Sequence, residues 1–173
     1  MQPDQVGRVR VIVVMGVSAA GKTTAGRALS GALGWPFYEG DDFHSAANIE
    51  KMRRGEALTD ADRAPWLHDL HMLIAGILER GEHGVLACSA LKRAYREALV
   101  PRGTPPGAVQ FAFLDVPVDV LRKRLADRKG SFFNPRLLDS QIATLEQPSD
   151  ATRIDGDQPV DNIVKAIREA LQV

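Results

Sequence analysis

Cysteine is almost missing from this chain: Cys88 stands alone, so no intramolecular disulfide can staple the fold, and the sequence is compatible with a reducing compartment. An excess of one charge is missing too. The 22 Lys+Arg balance 22 Asp+Glu, so nothing global draws the chain to the polyanionic surface of DNA, RNA or a membrane. Any anion it binds must be held locally. Long apolar runs are also lacking, since the longest early one, Val11–Met15, is far short of the roughly 20 residues a membrane span needs. No charged-then-apolar leader precedes it. A cytoplasmic protein with neither nucleic-acid nor membrane partner is the expectation.

What is present is ordinary globular composition. At 173 residues, with 45% hydrophobic and 25% charged, the chain can bury one core, and residues 1–173 read as one domain without repeats or linkers. Short apolar runs alternate with longer amphipathic stretches, the pattern of a parallel α/β sheet with helices on both faces. Strands are expected over 9–15, 37–38, 85–88, 109–114 and 153–155, giving five. Helices are expected over 22–33, 43–54, 60–80, 91–99, 118–129, around 137–145 and over 160–173. Thr59-Asp60-Ala61-Asp62 has the form of a capping box ahead of the longest helix, and Asp42 reads as the N-cap of the helix after the second strand.

Gly16-Val17-Ser18-Ala19-Ala20-Gly21-Lys22-Thr23 fits the spacing G-x-x-x-x-G-K-[ST] and lies between a buried strand and an amphipathic helix. Glycines let the backbone wrap so that successive N–H groups converge on phosphate oxygens, and the helix start adds its positive dipole end. ATP is therefore expected at Gly16, Val17, Ser18, Ala19, Ala20, Gly21, Lys22, Thr23 and Thr24. Lys22 supplies a mobile charge to the β- and γ-phosphates, and the Thr23 hydroxyl is the expected Mg2+ ligand, with Glu39 acting through water.

A phosphate cradle alone leaves a small-molecule kinase, a regulatory switch and a motor ATPase open. No guanine-reading Asn-Lys-x-Asp occurs, and Asp127-Arg128-Lys129-Gly130 sits at the end of a basic helix rather than after a strand. At the end of the second strand, Glu39-Gly40-Asp41 puts acidic groups at the sheet's carboxyl edge, where ligands of open α/β sheets bind. A carboxylate there can take the proton of an acceptor hydroxyl. The plainer role for Asp41 is a turn residue.

At this point the residues resemble the bacterial gluconokinases. The resemblance rests on Asp60 to Leu67 and on Cys88-Ser89-Ala90-Leu91-Lys92, and continues through Ser140-Gln141 and Leu145-Glu146 to Pro148. It implies transfer of the ATP γ-phosphate to the 6-hydroxyl of D-gluconate in a nucleoside-monophosphate-kinase-like fold, with Mg2+, a lid around 122–136 and a homodimer. Three departures stand out: Glu39 where the family usually has Asp, Ser131 where its lid usually has His, and Ala19-Ala20 in place of Gly-Ser. The last is expected to matter little, because that stretch acts through backbone N–H groups.

Gluconate carries a carboxylate and five hydroxyls, so its pocket needs a cation and several hydrogen-bonding groups. Arg63 and Lys92 are the leading cations, with Arg54 and Arg96 behind them; a solvated or ion-paired surface role is the alternative for each. His44 can bond a sugar hydroxyl or simply pack. Arg124 and Arg128, four apart, share a helix face that can reach phosphates or adenine, or remain a solvated basic face. Catalysis is assigned to Lys22, Asp41 and Arg128. His68 and His71 read as ordinary helix residues, Trp66 as core, and Phe132 and Phe133 as lid packing. The runner-up acceptor class is that of the shikimate kinases, against which stands the absence of Gly-Gly-Gly after the third strand.

Overall fold

Five apolar residues in a row, Val11–Met15, form strand β1, and all five are buried. Such a strand needs a neighbour on each edge and cover on each face. It has both in the structure, a computed structural model that describes residues 9–128 and 134–173. With β2 (Phe37–Glu39), β3 (Gly84–Ala87), β4 (Val109–Asp115) and β5 (Thr152–Asp155), it makes one sheet in the order β2-β3-β1-β4-β5. Every pairing is parallel. The helices are α1 (Lys22–Leu33), α2 (Ala46–Arg53), α3 (Asp60–Glu79), α4 (Arg93–Leu99), α5 (Val118–Asp127), α6 (Leu137–Thr144) and α7 (Val160–Leu171). The expected five-stranded parallel α/β arrangement is what is observed.

Alternation along β1 sorts the core into two layers. Ile12 and Val14 pack with Ala25 and Leu29 of α1, Leu121 and Leu125 of α5, and Ile163 and Ile167 of α7. Val11, Val13 and Met15 pack with Trp66, Leu70, Ile74 and Ile77 of α3 and Tyr95 and Leu99 of α4. Each of these larger side chains, fully buried, stabilises the fold by about 1.5–3 kcal/mol relative to exposure, so each face of the sheet is held independently. A smaller cluster of Met52, Leu58 and Leu137 joins α2 to α6. Because the strands are parallel, all five carboxyl ends share one edge, and the loops after β1, β2 and β3 meet there.

The long helix starts as expected: Thr59 and Asp62 form a reciprocal capping box. The element after β2 differs. Residues Gly40–Phe43 make a 3₁₀ turn, His44 is extended, and α2 begins only after Ser45, whose hydroxyl accepts the Asn48 N–H at 3.1 Å. The cap of α2 is therefore Ser45 and not Asp42, because a hydroxyl three residues ahead of Asn48 satisfies the orphan donor that Asp42 is too far upstream to reach. Helix α4 starts at Arg93 rather than 91, since Leu91 is buried in the α1-side core. Helix α5 stops at Asp127. The lid expected around 122–136, with Ser131, Phe132 and Phe133, falls partly on residues 129–133, which lie outside the described residues. Among the described residues no helix is long and apolar enough to cross a membrane.

Candidate active site

The chain leaves β1 through Gly16 and reaches α1 at Lys22, with Gly21 at φ 93° as the residue before the helix. That left-handed conformation favours glycine. Lys22 folds back on its own loop, its Nζ donating to the Val17 carbonyl at 2.9 Å. Burial lowers the Lys22 pKa from the ordinary lysine range, and the carboxylates of Asp41 and Glu39 oppose that shift. The ammonium thus lies within electrostatic reach of the acidic residues at the tip of β2.

Those residues are held there by close packing. A Cβ at Gly40 would lie 2.4 Å from the Ala87 carbonyl oxygen, so only glycine lets β2 pass this near to β3. The Gly40 carbonyl also accepts the Trp66 indole N–H at 2.8 Å. Glu39 ties the strand tip to the phosphate loop. One oxygen accepts the Thr23 hydroxyl at 2.5 Å and the other faces the Asp41 N–H at 3.4 Å. Thr23 and Glu39, expected together on the metal side, are in direct contact.

Beside this corner lies a pocket lined by Ser18, Lys22, Asp41, His44, Arg63 and Trp66, with Ser140 and Gln141 of α6. His44 stacks on Trp66 with ring centroids 4.3 Å apart and planes inclined by 12°. Its Nε2 is 4.0 Å from Asp41 Oδ1, while its buried Nδ1 has no hydrogen-bond partner among the described residues. Burial, followed by the Arg63 charge, lowers the His44 pKa to about 4, so the ring is neutral at pH 7. Arg63 donates to the Tyr95 hydroxyl at 3.2 Å and lies 5.4 Å from that ring's centre. Tyr95 in turn donates to Asp60. A guanidinium fixed this way can grip a carboxylate without first losing side-chain entropy.

The other expected cations are placed differently. Lys92 pairs with Asp60 at 3.2 Å and is not among the pocket-lining residues. Arg54 pairs with Glu56 at 2.8 Å in solvent. Arg96 is 2% exposed and bonds Asp150 and the Ala90 carbonyl, so its role is to join α4 to the loops around it. His71 Nδ1 meets the Ala98 carbonyl at 2.9 Å, an ordinary helix-to-helix contact. Cys88 is buried, which pushes its thiol up to about 12 and leaves it an inert apolar group.

On the opposite side of the phosphate loop, Ala19, Ala20, Gly21 and Thr24 line a second pocket with Arg124, Arg128, Gly156 and Gln158. Arg124 is already engaged. It donates to the carbonyls of Ala19 at 3.2 Å and Gly156 at 3.0 Å, and lies 3.6 Å from Asp157. It therefore fastens the loop to the turn between β5 and α7. Arg128, at the end of α5, lines the same pocket.

Comparison with known proteins places this geometry in a family. Residues 11–148 match the family model described as AAA domain. A probable gluconokinase of Xenopus tropicalis is 46% identical over 172 residues, spanning 91% of this chain and 90% of that protein. The gluconokinase of Gluconobacter oxydans is 45% identical, spanning 91% and 89%. The crystal structure of a gluconokinase from Sinorhizobium meliloti superposes with TM-score 0.80 at 41% identity, covering 95% of this chain and 94% of that one. The chain belongs to the gluconokinase family. A shikimate kinase structure from Bacteroides thetaiotaomicron, 21% identical, shares the fold alone.

Within the gluconokinase family pattern, residue-type reasoning leaves Ser89, Ser140 and Gln141 without roles, although all three line the pocket shared by Lys22, Asp41 and Arg63. Ser140 and Gln141 lie over a hundred positions from the phosphate loop in a segment that carries no spacing signal. Only the resemblance marked them.

Proposed function

We propose that the chain transfers the γ-phosphate of ATP to the 6-hydroxyl of D-gluconate, giving 6-phosphogluconate and ADP. One observation carries this: Lys22 of the phosphate loop, Asp41 at the adjacent strand tip, and the fixed Arg63 line a single pocket. Loop N–H groups and the Lys22 ammonium hold the phosphates. Asp41 takes the proton of the attacking hydroxyl, Arg63 grips the gluconate carboxylate, and His44 bonds a sugar hydroxyl. Lys92, paired with Asp60, belongs to the outer support of Arg63 through their shared neighbour Tyr95. Arg124 holds the loop in shape, and Arg128 is the cation for the transferring group. Thr23 and Glu39 offer two hard oxygen donors in contact, a set suited to Mg2+, which supplies charge neutralisation on the phosphates when bound. A cytoplasmic homodimer completes the proposal, with sedimentation as the check on its stoichiometry.

The deciding assay is ADP release with MgATP plus gluconate, another aldonate, shikimate or AMP in parallel wells. A response to gluconate above the others is expected. A response led by shikimate would move the acceptor class, and slow ADP release indifferent to every acceptor would make the chain a regulatory switch.

A further inference from the structure

Ser18 lies at the border between the two half-sites. It lines the acceptor pocket, whereas Ala19, Ala20 and Gly21 line the pocket on the other side. Its backbone N–H points at a protein group: it donates to Gln141 Oε1 of α6 at 2.7 Å. A main-chain N–H can only donate, so the amide must face it with its oxygen. In a phosphate cradle that N–H is suited to a phosphate oxygen. The Gln141 amide oxygen therefore occupies a loop donor in the pocket that Lys22 and Asp41 also line.

Resting on the gluconate reading above, we propose that Gln141 is a positioning residue of the transfer step, in which the terminal phosphate displaces its side chain from Ser18 and the freed amide then bonds the acceptor polyol. Filling the nucleotide site thereby completes the acceptor site. The amide has both a donor and an acceptor end, so it can serve a polyol once released. ADP lacks the terminal phosphate and leaves the Ser18 contact in place.

Titration of the purified chain with a non-hydrolysable ATP analogue and with ADP tests this, using Gln141→Ala, Gln141→Glu and the similarly shaped Gln141→Met. Gln141→Ala and Gln141→Met remove a competitor of neutral hydrogen-bond strength, so they should bind the ATP analogue about threefold or more tightly with ADP unchanged. Gln141→Glu presents a carboxylate to the same N–H and repels the incoming phosphate, so it should weaken the analogue about tenfold relative to ADP. In steady state, the Ala and Met variants should raise the gluconate KM about tenfold with a smaller change in kcat. An ATP-to-ADP affinity ratio that stays flat across all three variants overturns the proposal, as does an unchanged gluconate KM. If gluconate is not turned over by the wild type, the proposed function fails separately, and the nucleotide ratio alone decides the fate of the Ser18 contact.

Discussion

The two sides of the phosphate loop are built from different materials. On the proposed nucleotide side, the holding falls to main-chain groups, and Arg124 spends its donors on carbonyls of the loop and of Gly156. On the proposed acceptor side, side chains from three separate stretches converge: Asp41 and His44 between β2 and α2, Arg63 in α3 and Gln141 in α6. Main-chain recognition depends on local conformation and tolerates side-chain change. Side-chain recognition depends on tertiary placement and does not. Substitutions on the two sides should therefore separate, nucleotide affinity moving with one and acceptor affinity with the other.

Lys22→Ala and Asp41→Asn sharpen that contrast most. Both should lower kcat by on the order of 10³-fold or more, since each removes a group that acts on the reacting atoms. Only Lys22→Ala should also weaken ATP, as read by direct titration. Melting temperatures within a few degrees of wild type should show that both variants fold. Near-wild-type turnover in either would break the assignment.

Arg63→Ala comes next. Losing a two-pronged guanidinium grip should raise the gluconate KM about 10²-fold while ATP affinity stays constant. Arg63→Lys should recover only part of it, because an ammonium cannot present the fork. Lys92→Ala serves as the control: its ammonium neutralises Asp60 at 3.2 Å outside the pocket, so its KM effect should be much smaller. Equal losses for Arg63 and Lys92 would mean that the carboxylate site is shared.

His44 gives the acceptor side a pH signature. Its folded-state pKa is about 4 against an ordinary 6.5, burial first and Arg63 second, with Asp41 as the nearest carboxylate at 4.0 Å. Below the ordinary value the unfolded chain takes a proton that folded His44 refuses, so stability is present above pH 6.5 and declines as pH falls toward 4. Between pH 6.5 and 5 the loss from this group should be about 1.5 kcal/mol. Asp62, held down to about 2 by Lys51 and Thr59, gives way only at lower pH. Denaturant melts of wild type and His44→Gln across that range isolate the effect, and parallel curves would show that His44 titrates normally.

The same contrast governs how much the sequence could disclose. Gly16 to Thr23 is contiguous, and each residue type has one physical job in a strand-loop-helix, so the cradle and the parallel sheet were legible from spacing and periodicity. The capping box at Thr59 and Asp62 was legible for the same reason: its partners are three residues apart. Arg63 and Lys92 looked equivalent because both are cations in specific segments. Both lie over the Tyr95 ring at 5.4 Å; what separates them is that Arg63 bonds the Tyr95 hydroxyl and lines the pocket, while Asp60 takes the Lys92 ammonium out of it. Asp42 was misread because Asp, Asn and Ser all cap helices, and the 3₁₀ turn that moves the cap to Ser45 leaves no mark in local composition. The resemblance marked Gln141, but its contact could be found only in three dimensions, since its partner is a backbone N–H, which every residue but proline carries.

Ala19 is the smallest test and bears on the main-chain side. Replacing the family's usual glycine by alanine there was expected to be nearly neutral, since the loop acts through its backbone. For stability the backbone adds a cost: Ala19 sits at φ 65°, a left-handed conformation that costs a residue with a Cβ about 1–2 kcal/mol and glycine almost nothing. The greater freedom of glycine in the unfolded chain offsets part of the relief. Ala19→Gly should therefore stabilise the fold by about 1 kcal/mol, raising the melting temperature by roughly 2–4 °C for a chain of this size. ATP affinity should be unchanged, because the N–H groups keep their directions and Arg124 still holds the Ala19 carbonyl position. A drop in melting temperature would mean that the Ala19 methyl, buried at 7% exposure in the α1-side core, contributes more by packing than its backbone conformation costs. Side-chain packing would then matter on the side of the loop built from main chain.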